Sequence, residues 1–259
     1  MKIAIVGYGF VGKAIKKLFA DATVYDPAFP EISQKKAEIN AADVAFICVP
    51  TPMLPDGACD TSIVEEVFAW LKTPLIIIRS TVVPGTTEKL IKKYPDKKIV
   101  FQPEFIGETA AHPFTAEGQG EFSIFGGSAE NCSQALEVYK KAYNSSVRAM
   151  FMPPLEAELV KYYCNTTIAA KVTLANEFYN ICQAFGANYD LVREGFLMDP
   201  RMSRYWTFVY PKARGFGGKC IPKDINAIAK SAEQAGYNPE FIKTIIANNK
   251  RIKKIAGQE

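Results

Sequence analysis

Lys2-Ile-Ala-Ile-Val-Gly7-Tyr8-Gly9-Phe10-Val11-Gly12 decides the reading of this chain. An apolar run of strand length enters a GxGxxG loop, and a helical pattern begins at once behind it. Three glycines alone mark any tight turn, but this placement gives each a task. Gly7 permits the turn, Gly9 lets the backbone approach a pyrophosphate, and Gly12 allows the helix to pack closely on the strand. A diphosphate then rests on a helix N-terminus, where unbonded N–H groups and the helix dipole favour anions. Asp26 closes the next apolar run, where an acid binds the adenosine ribose hydroxyls and repels a 2′-phosphate, so NAD is expected over NADP. A turn-forming Asp before Pro27 is the plainer alternative. Flavin and S-adenosylmethionine proteins use related loops, so the loop by itself leaves the cofactor open.

Outward from that loop, strand-like runs at Lys2–Val6, Thr23–Tyr25, Val44–Val49, Leu75–Arg79, Ile99–Phe101 and Phe122–Phe125 alternate with helical patterns. The helices are expected at Phe10–Phe19, Ser62–Leu71, Thr86–Lys93 and Ala129–Ala142. Such alternation predicts a parallel sheet covered on both faces. The pattern changes at Met152-Pro153-Pro154. From Leu155 to Phe185 there is no internal Pro or Gly, and apolar residues recur at helical spacing, so one long spine helix is expected, stopped at Gly186. A loop-rich stretch from Asp199 to Cys220 precedes helices at Pro222–Ala235 and Pro239–Ile255. The expected fold is α/β: a doubly wound Rossmann-like domain at 1–152, then an all-helical central domain at 153–259.

Composition narrows the class. The 259 residues carry a net charge of +4 and are 48% hydrophobic, which suits a globular chain of one or two domains. No apolar run reaches the roughly 18 residues of a membrane span, and the start of the chain does not read as a secretory signal. Six scattered cysteines without a CxxC pair, beside a single His, argue against a metal site and against a secreted disulfide framework. A reducing cytoplasm is expected, with no membrane and no nucleic-acid partner.

The remaining signals lie behind the strands. Val49-Pro-Thr51-Pro52 with Asp56-Gly57 and Asp60-Thr-Ser62 follows the third run, and Ser80-Thr81-Val-Val-Pro-Gly-Thr-Thr87 follows the fourth. Gln102-Pro-Glu104-Phe105 with Glu108 follows the fifth. Open α/β sheets bind ligands at these strand ends. Far downstream stands Gly215-Phe-Gly-Gly-Lys-Cys220-Ile-Pro-Lys-Asp224. Taken together, these segments resemble the UDP-glucose/GDP-mannose dehydrogenase family from residue 2 to about Arg251. The resemblance implies oxidation of a nucleotide-sugar alcohol to a uronic acid with two NAD, most simply UDP-glucose to UDP-glucuronate. It also implies a homodimer through the long central helix.

Cys220 lies between Lys219 and Lys223, just before Pro222, a favoured first helical position; that setting favours the thiolate. In the family the matching Cys captures the aldehyde as a thiohemiacetal that becomes a thioester. The other five cysteines read as inert. Lys161 and Asn165 are four apart on the spine helix and share a face. A solvated face is the bland reading, but Glu158-Leu-Val-Lys161-Tyr-Tyr-Cys-Asn165 resembles the family's helix segment, whose residues stabilise oxyanions. Resemblance also gives Asp224 and Thr81 the hydrolytic water, Glu104 acid/base work, and Glu108 the nicotinamide side. Tyr8, Phe10, Val11, Thr51, Thr81, Lys223 and Arg251 are implied as cofactor contacts. Six basic residues and no acid lie between Arg201 and Lys223, which suggests a pocket for a diphosphate. By resemblance Arg201 reaches substrate held by the neighbouring subunit, and Tyr210, within Val209–Ala213, and Gly217 cradle the sugar nucleotide.

Three departures stand out: Gly107 where the family often has a basic residue, an altered pattern over Ala110–Phe122, and a long Arg201–Cys220 interval. No stretch after the central domain is left for the family's third, nucleotide-binding domain. Rival readings are therefore a β-hydroxyacid-type dehydrogenase, which needs no thiol nucleophile, and a non-catalytic NAD-binding module.

Overall fold

The protein is described by a computed structural model over residues 1–107, 122–142 and 148–257. Two compact units emerge. The first comprises Met1–Leu54 and Cys59–Lys161, the second Pro55–Ala58 and Tyr162–Glu259. Their division falls at Lys161, inside the spine helix, and not at the 152/153 junction expected from the Pro pair.

In the first unit, β1 (Ile3–Val6), α1 (Phe10–Leu18), β2 (Thr23–Tyr25), α2 (Lys36–Asn40), β3 (Val44–Ile47), α3 (Ser62–Trp70), β4 (Leu75–Ile78), α4 (Thr86–Lys93) and β5 (Lys98–Phe101) follow one another. Then come β6 (Phe122–Gly126), α5 (Ala129–Lys140) and β7 (Arg148–Met152). The seven strands are ordered β2-β1-β3-β4-β5-β6-β7. All neighbours are parallel except β5 and β6, which run antiparallel. The wholly parallel sheet of the sequence reading is corrected at that one junction.

β3 and β4 are buried at every position. Alternate residues feed two cores: Ala45, Ile47, Ile76 and Ile78 enter one, and Val44, Phe46, Leu75 and Ile77 the other. A strand apolar on both faces belongs at the centre of a sheet covered by helices on either side. Those faces hold the C-terminal strand ends, and hence the loops at 7–12, 48–52, 79–85 and 102–107, in place.

α6 (Pro154–Ala184) begins in the first unit and continues into the second, where α7 (Tyr189–Phe196), α8 (Cys220–Gln234) and α9 (Glu240–Ile255) follow. Gly186, at φ +67°, ends the α6 turn, with the Ala187 N–H bonding back to the Cys182 carbonyl at 2.8 Å. In the second unit Ala169, Phe216, Ile225 and Ile245 form a small core that ties α6, α8, α9 and the loop before α8 together. Three elements were not anticipated from sequence: α2, β7 and α7. α8 also starts at Cys220 and not at Pro222, which becomes its third residue. A proline is accommodated there because first-turn amides need no helical acceptor. Among the described residues no helix is long and apolar enough to cross a membrane, and no three His, Cys, Asp or Glu side chains gather as a metal site.

Candidate active site

The first unit builds a dinucleotide cradle. Gly7 has φ +95°, and a Cβ on it would lie 2.5 Å from the Cys48 carbonyl oxygen. A Cβ on Gly12 would lie 2.0 Å from the Gly7 carbonyl oxygen, so α1 packs against the loop only because both residues are bare. Gly9 precedes α1 and its Cβ direction is open. No acid stands in the first turn of α1 and no side chain caps it. The amides and dipole at that end suit a diphosphate. These features fit NAD, with Gly7, Gly9 and Gly12, flanked by Tyr8, Phe10 and Val11, as its loop.

Asp26 forms the turn and is also tied to the glycine loop. One carboxylate oxygen accepts the Tyr8 N–H at 2.6 Å, and the other accepts the Ala28 N–H at 2.9 Å. The second bond is the local turn; the first binds the acid to the glycine loop.

At the ends of β3, β4 and β5, side chains fasten one loop to the next. The Thr51 hydroxyl donates to the Thr81 carbonyl at 2.7 Å. That bond fixes the Thr81 segment. Glu158, wholly buried on α6, accepts the Gly85 N–H at 2.5 Å and the Thr87 N–H at 2.8 Å. Those amides begin α4, so Glu158 caps a helix distant in sequence. Burial pushes its carboxyl up to about 7, against the downward pull of those hydrogen bonds.

One turn along, the Lys161 ammonium donates to the Glu104 carbonyl oxygen, lies 3.8 Å from the Glu104 carboxylate and sits over the Phe105 ring at 5.6 Å. Lys161 and Glu104 are only 7% and 8% exposed. The solvated-face reading of Lys161 is thereby excluded: its charge is compensated inside the fold. One Glu104 oxygen also accepts the N–H of Ile106. Glu108 and His112 lie outside the described residues.

The second unit assembles another group. Asn165, buried one turn beyond Lys161 on α6, donates to Asp224 at 2.5 Å, and Lys223 donates to the other Asp224 oxygen at 2.5 Å. Asp224 is 1% exposed, so both oxygens of a buried carboxylate are satisfied. Cys220 stands exposed at the first position of α8, one turn before Asp224. No acid occupies the first turn of α8 and Lys219 precedes it. That electropositive helix start matches the setting expected for a reactive thiol.

The expected basic pocket between Arg201 and Lys223 is altered. Arg201 is clamped by Asp199 through contacts of 2.6 to 3.1 Å, and Lys223 is held by Asp224. Arg214 is buried, donating to Asn176 Oδ1 at 2.6 Å and Asn180 Oδ1 at 2.8 Å, with its guanidinium 4.3 Å from the Tyr179 ring centre. It anchors the loop to α6 and presents no charge to a ligand. Arg204, Lys212 and Lys219 are exposed. Tyr210 is exposed and stacks with Phe208, and Gly217 is exposed beside Lys253. Arg251 pairs with Glu177 of α6 at 2.7 Å. Sequence reasoning missed the scaffold residues Asn176, Asn249 and Glu158; polar side chains on helices otherwise facing a core were the available signal.

Comparison with known proteins follows this geometry. Residues 28–144 match the NAD binding domain of the UDP-glucose/GDP-mannose dehydrogenase family, and residues 155–251 match that family's central domain. A UDP-glucose 6-dehydrogenase of Pseudomonas aeruginosa is 27% identical over 98% of this chain and 66% of its own length. A GDP-mannose 6-dehydrogenase of the same organism is 29% identical over 83% of this chain and 52% of its own. The chain thus spans about two thirds or less of these curated relatives. Among solved structures, a UDP-glucose dehydrogenase from the hyperthermophilic archaeon Pyrobaculum islandicum superposes with a TM-score of 0.80 at 26% identity, covering 96% of this chain and 68% of that one.

Proposed function

The chain belongs to the UDP-glucose/GDP-mannose dehydrogenase family, and from that footing we propose that it oxidises the primary alcohol of a nucleotide sugar to a carboxylate, UDP-glucose being the first candidate. The glycine loop and Asp26 would hold NAD, which would supply the hydride acceptor for both oxidations. The alcohol first loses a hydride and a proton to give an aldehyde. The Cys220 thiolate then forms a C–S bond to the aldehyde carbon, producing a thiohemiacetal. Loss of a second hydride leaves a thioester, and water cleaves the C–S bond to release the acid and restore the thiol. One alcohol, one water and two NAD+ therefore give one acid, two NADH and two protons. The covalent intermediate divides a four-electron oxidation into steps a single site performs.

Roles for the chain's residues follow from their chemistry and from the family resemblance. The Lys161 ammonium and the Asn165 amide are donors suited to the oxyanions of the aldehyde, thiohemiacetal and thioester stages. Asp224, oriented by Asn165, and Thr81, whose carbonyl is fixed by Thr51, serve the hydrolytic water. Glu104, beside Lys161, is the acid/base group. The exposed Tyr163, Leu174 and Phe178 along α6, with Phe185 just beyond its end, support a homodimer through that helix.

The observation that carries this reading is the second unit's arrangement. An exposed thiol opens α8, and one turn later a buried carboxylate is bonded to the Asn of the family's helix segment. A two-electron alcohol dehydrogenase has no use for that thiol. The test is a panel of UDP- and GDP-sugars with NAD, read by NADH absorbance. At least one nucleotide sugar is expected to turn over, with UDP-glucose first; tight NAD binding with no turnover on any member would overturn the proposal.

A further inference from the structure

Cys220 is exposed, so its aim depends on how the main chain ahead of it is held. That chain, Gly215–Lys219, has no regular hydrogen-bonded structure, and Gly215 and Gly218 lie at φ +71° and +77°. Two side chains take hold of it: Asn176 Oδ1 accepts the Gly215 N–H at 3.3 Å, and Asn249 grips the next residue at both its polar groups. Asn249, buried on α9, accepts the Phe216 N–H at 2.8 Å on its amide oxygen and donates to the Phe216 carbonyl at 3.0 Å. The amide thus pairs with both polar groups of one residue, as a neighbouring strand would. Phe216 is also fixed by its buried ring, packed with Ala169, Ile225 and Ile245. A Cβ on Gly215 would lie 2.4 Å from the Asn249 amide oxygen, so the bare glycine leaves the space this amide fills.

We propose that Asn249 is a positioning residue for the reaction, holding the Gly215–Lys219 segment so that the Cys220 thiol meets the aldehyde before it escapes. The inference rests on the covalent reading above and deepens it. An aldehyde that leaves uncaptured has given up one hydride, so it accounts for one NADH and no acid. Weakening the clamp therefore raises the ratio of NADH to acid above two. Loss of stability alone reduces the amount of active enzyme and leaves that ratio unchanged.

The experiment compares the full chain with Asn249→Ala, Asn249→Asp and Gly215→Ala, at equal concentrations of NAD-binding protein, with semicarbazide present to trap aldehyde. Asn249→Asp keeps an acceptor for the Phe216 N–H but sets a carboxylate against its carbonyl. Gly215→Ala spares α9, crowding the amide while also straining the main chain at φ +71°. Wild type is expected to give two NADH per acid without trapped aldehyde. The variants are expected to form acid about 10- to 100-fold more slowly, the range that misplacement of a reacting group by about 1 Å produces, with a ratio above two and trapped aldehyde. A ratio of two and no trapped aldehyde in the variants would overturn the role of Asn249 and leave the covalent reading intact. A wild type that yields no NADH from any nucleotide sugar would instead defeat the covalent reading, and this inference with it.

Discussion

Glu158 offers a perturbation whose size and sign both come from its surroundings. Its carboxylate is wholly buried against the start of α4 and accepts two amides there. Burial nonetheless wins, and the carboxyl rises from an ordinary 4.5 to about 7; the like charge of Glu88 on α4 pushes the same way. Below pH 4.5 the folded and unfolded chains both carry the proton. Between 4.5 and 7 the folded chain keeps it while the unfolded chain has released it. Stability from this group is therefore complete below the unfolded value and is lost as pH rises through the folded one. At 1.36 kcal/mol per pKa unit, the loss amounts to about 3 kcal/mol.

Glu158→Gln removes the titration while keeping the shape. Its single amide oxygen serves one N–H and its NH2 opposes the other, which lowers stability at every pH. The comparison is therefore of slopes. Thermal melts of both proteins across pH 4.5 to 8 are expected to show wild type losing about 6–12 °C more than the variant, at 2–4 °C per kcal/mol. Parallel pH profiles would refute the assignment of a raised carboxyl to this cap.

Three further outcomes are expected. Gly12→Ala places a methyl 2.0 Å from the Gly7 carbonyl; overpacking of about 1–3 kcal/mol forces α1 from the loop, and NAD affinity measured by calorimetry should fall at least about tenfold. Asp26→Ala leaves the Tyr8 amide without its 2.6 Å acceptor and should weaken NAD binding in the same titration, with NADP binding little changed. Arg214→Ala empties a buried site bonded to Asn176 and Asn180; a loss of about 3 kcal/mol is expected as a lower melting temperature, and Arg214→Lys should not restore it because an ammonium lacks the planar fork.

Much of the fold could be read from the chain because its local and global signals agree. The apolar runs of β1, β3 and β4 are bounded by glycine and proline loops, and the long α6 carries no internal breaker. β7 escaped notice because Arg148–Met152 is mostly exposed and has no alternation to show. α7 escaped because its cap, Asn188, whose side chain accepts the Asp190 N–H, sits in what reads as loop. The antiparallel pairing of β5 with β6 has no local code; it is a matter of long-range contact.

At the site, placement was legible: Cys220 lies at a helix start behind its glycine-rich loop, and Lys161 and Asn165 lie one turn apart on α6. The basic loop was misjudged because counting charges ignores partners. Asp199, Asn176 and Asp224 claim Arg201, Arg214 and Lys223 within the fold. The scaffold, Glu158 and Asn249 above all, went unassigned because its targets are backbone groups, which left a polar side chain on a core-facing helix as the one signal.

The central claim is the covalent step at Cys220. Acid-quenching the protein during turnover of UDP-glucose with NAD, then weighing the peptide that contains Cys220, tests it most directly. The account predicts a uronyl adduct on that peptide in wild type, and neither adduct nor acid from Cys220→Ala, which still binds NAD. Acid formed at full rate by Cys220→Ala, with no adduct in wild type, would contradict it.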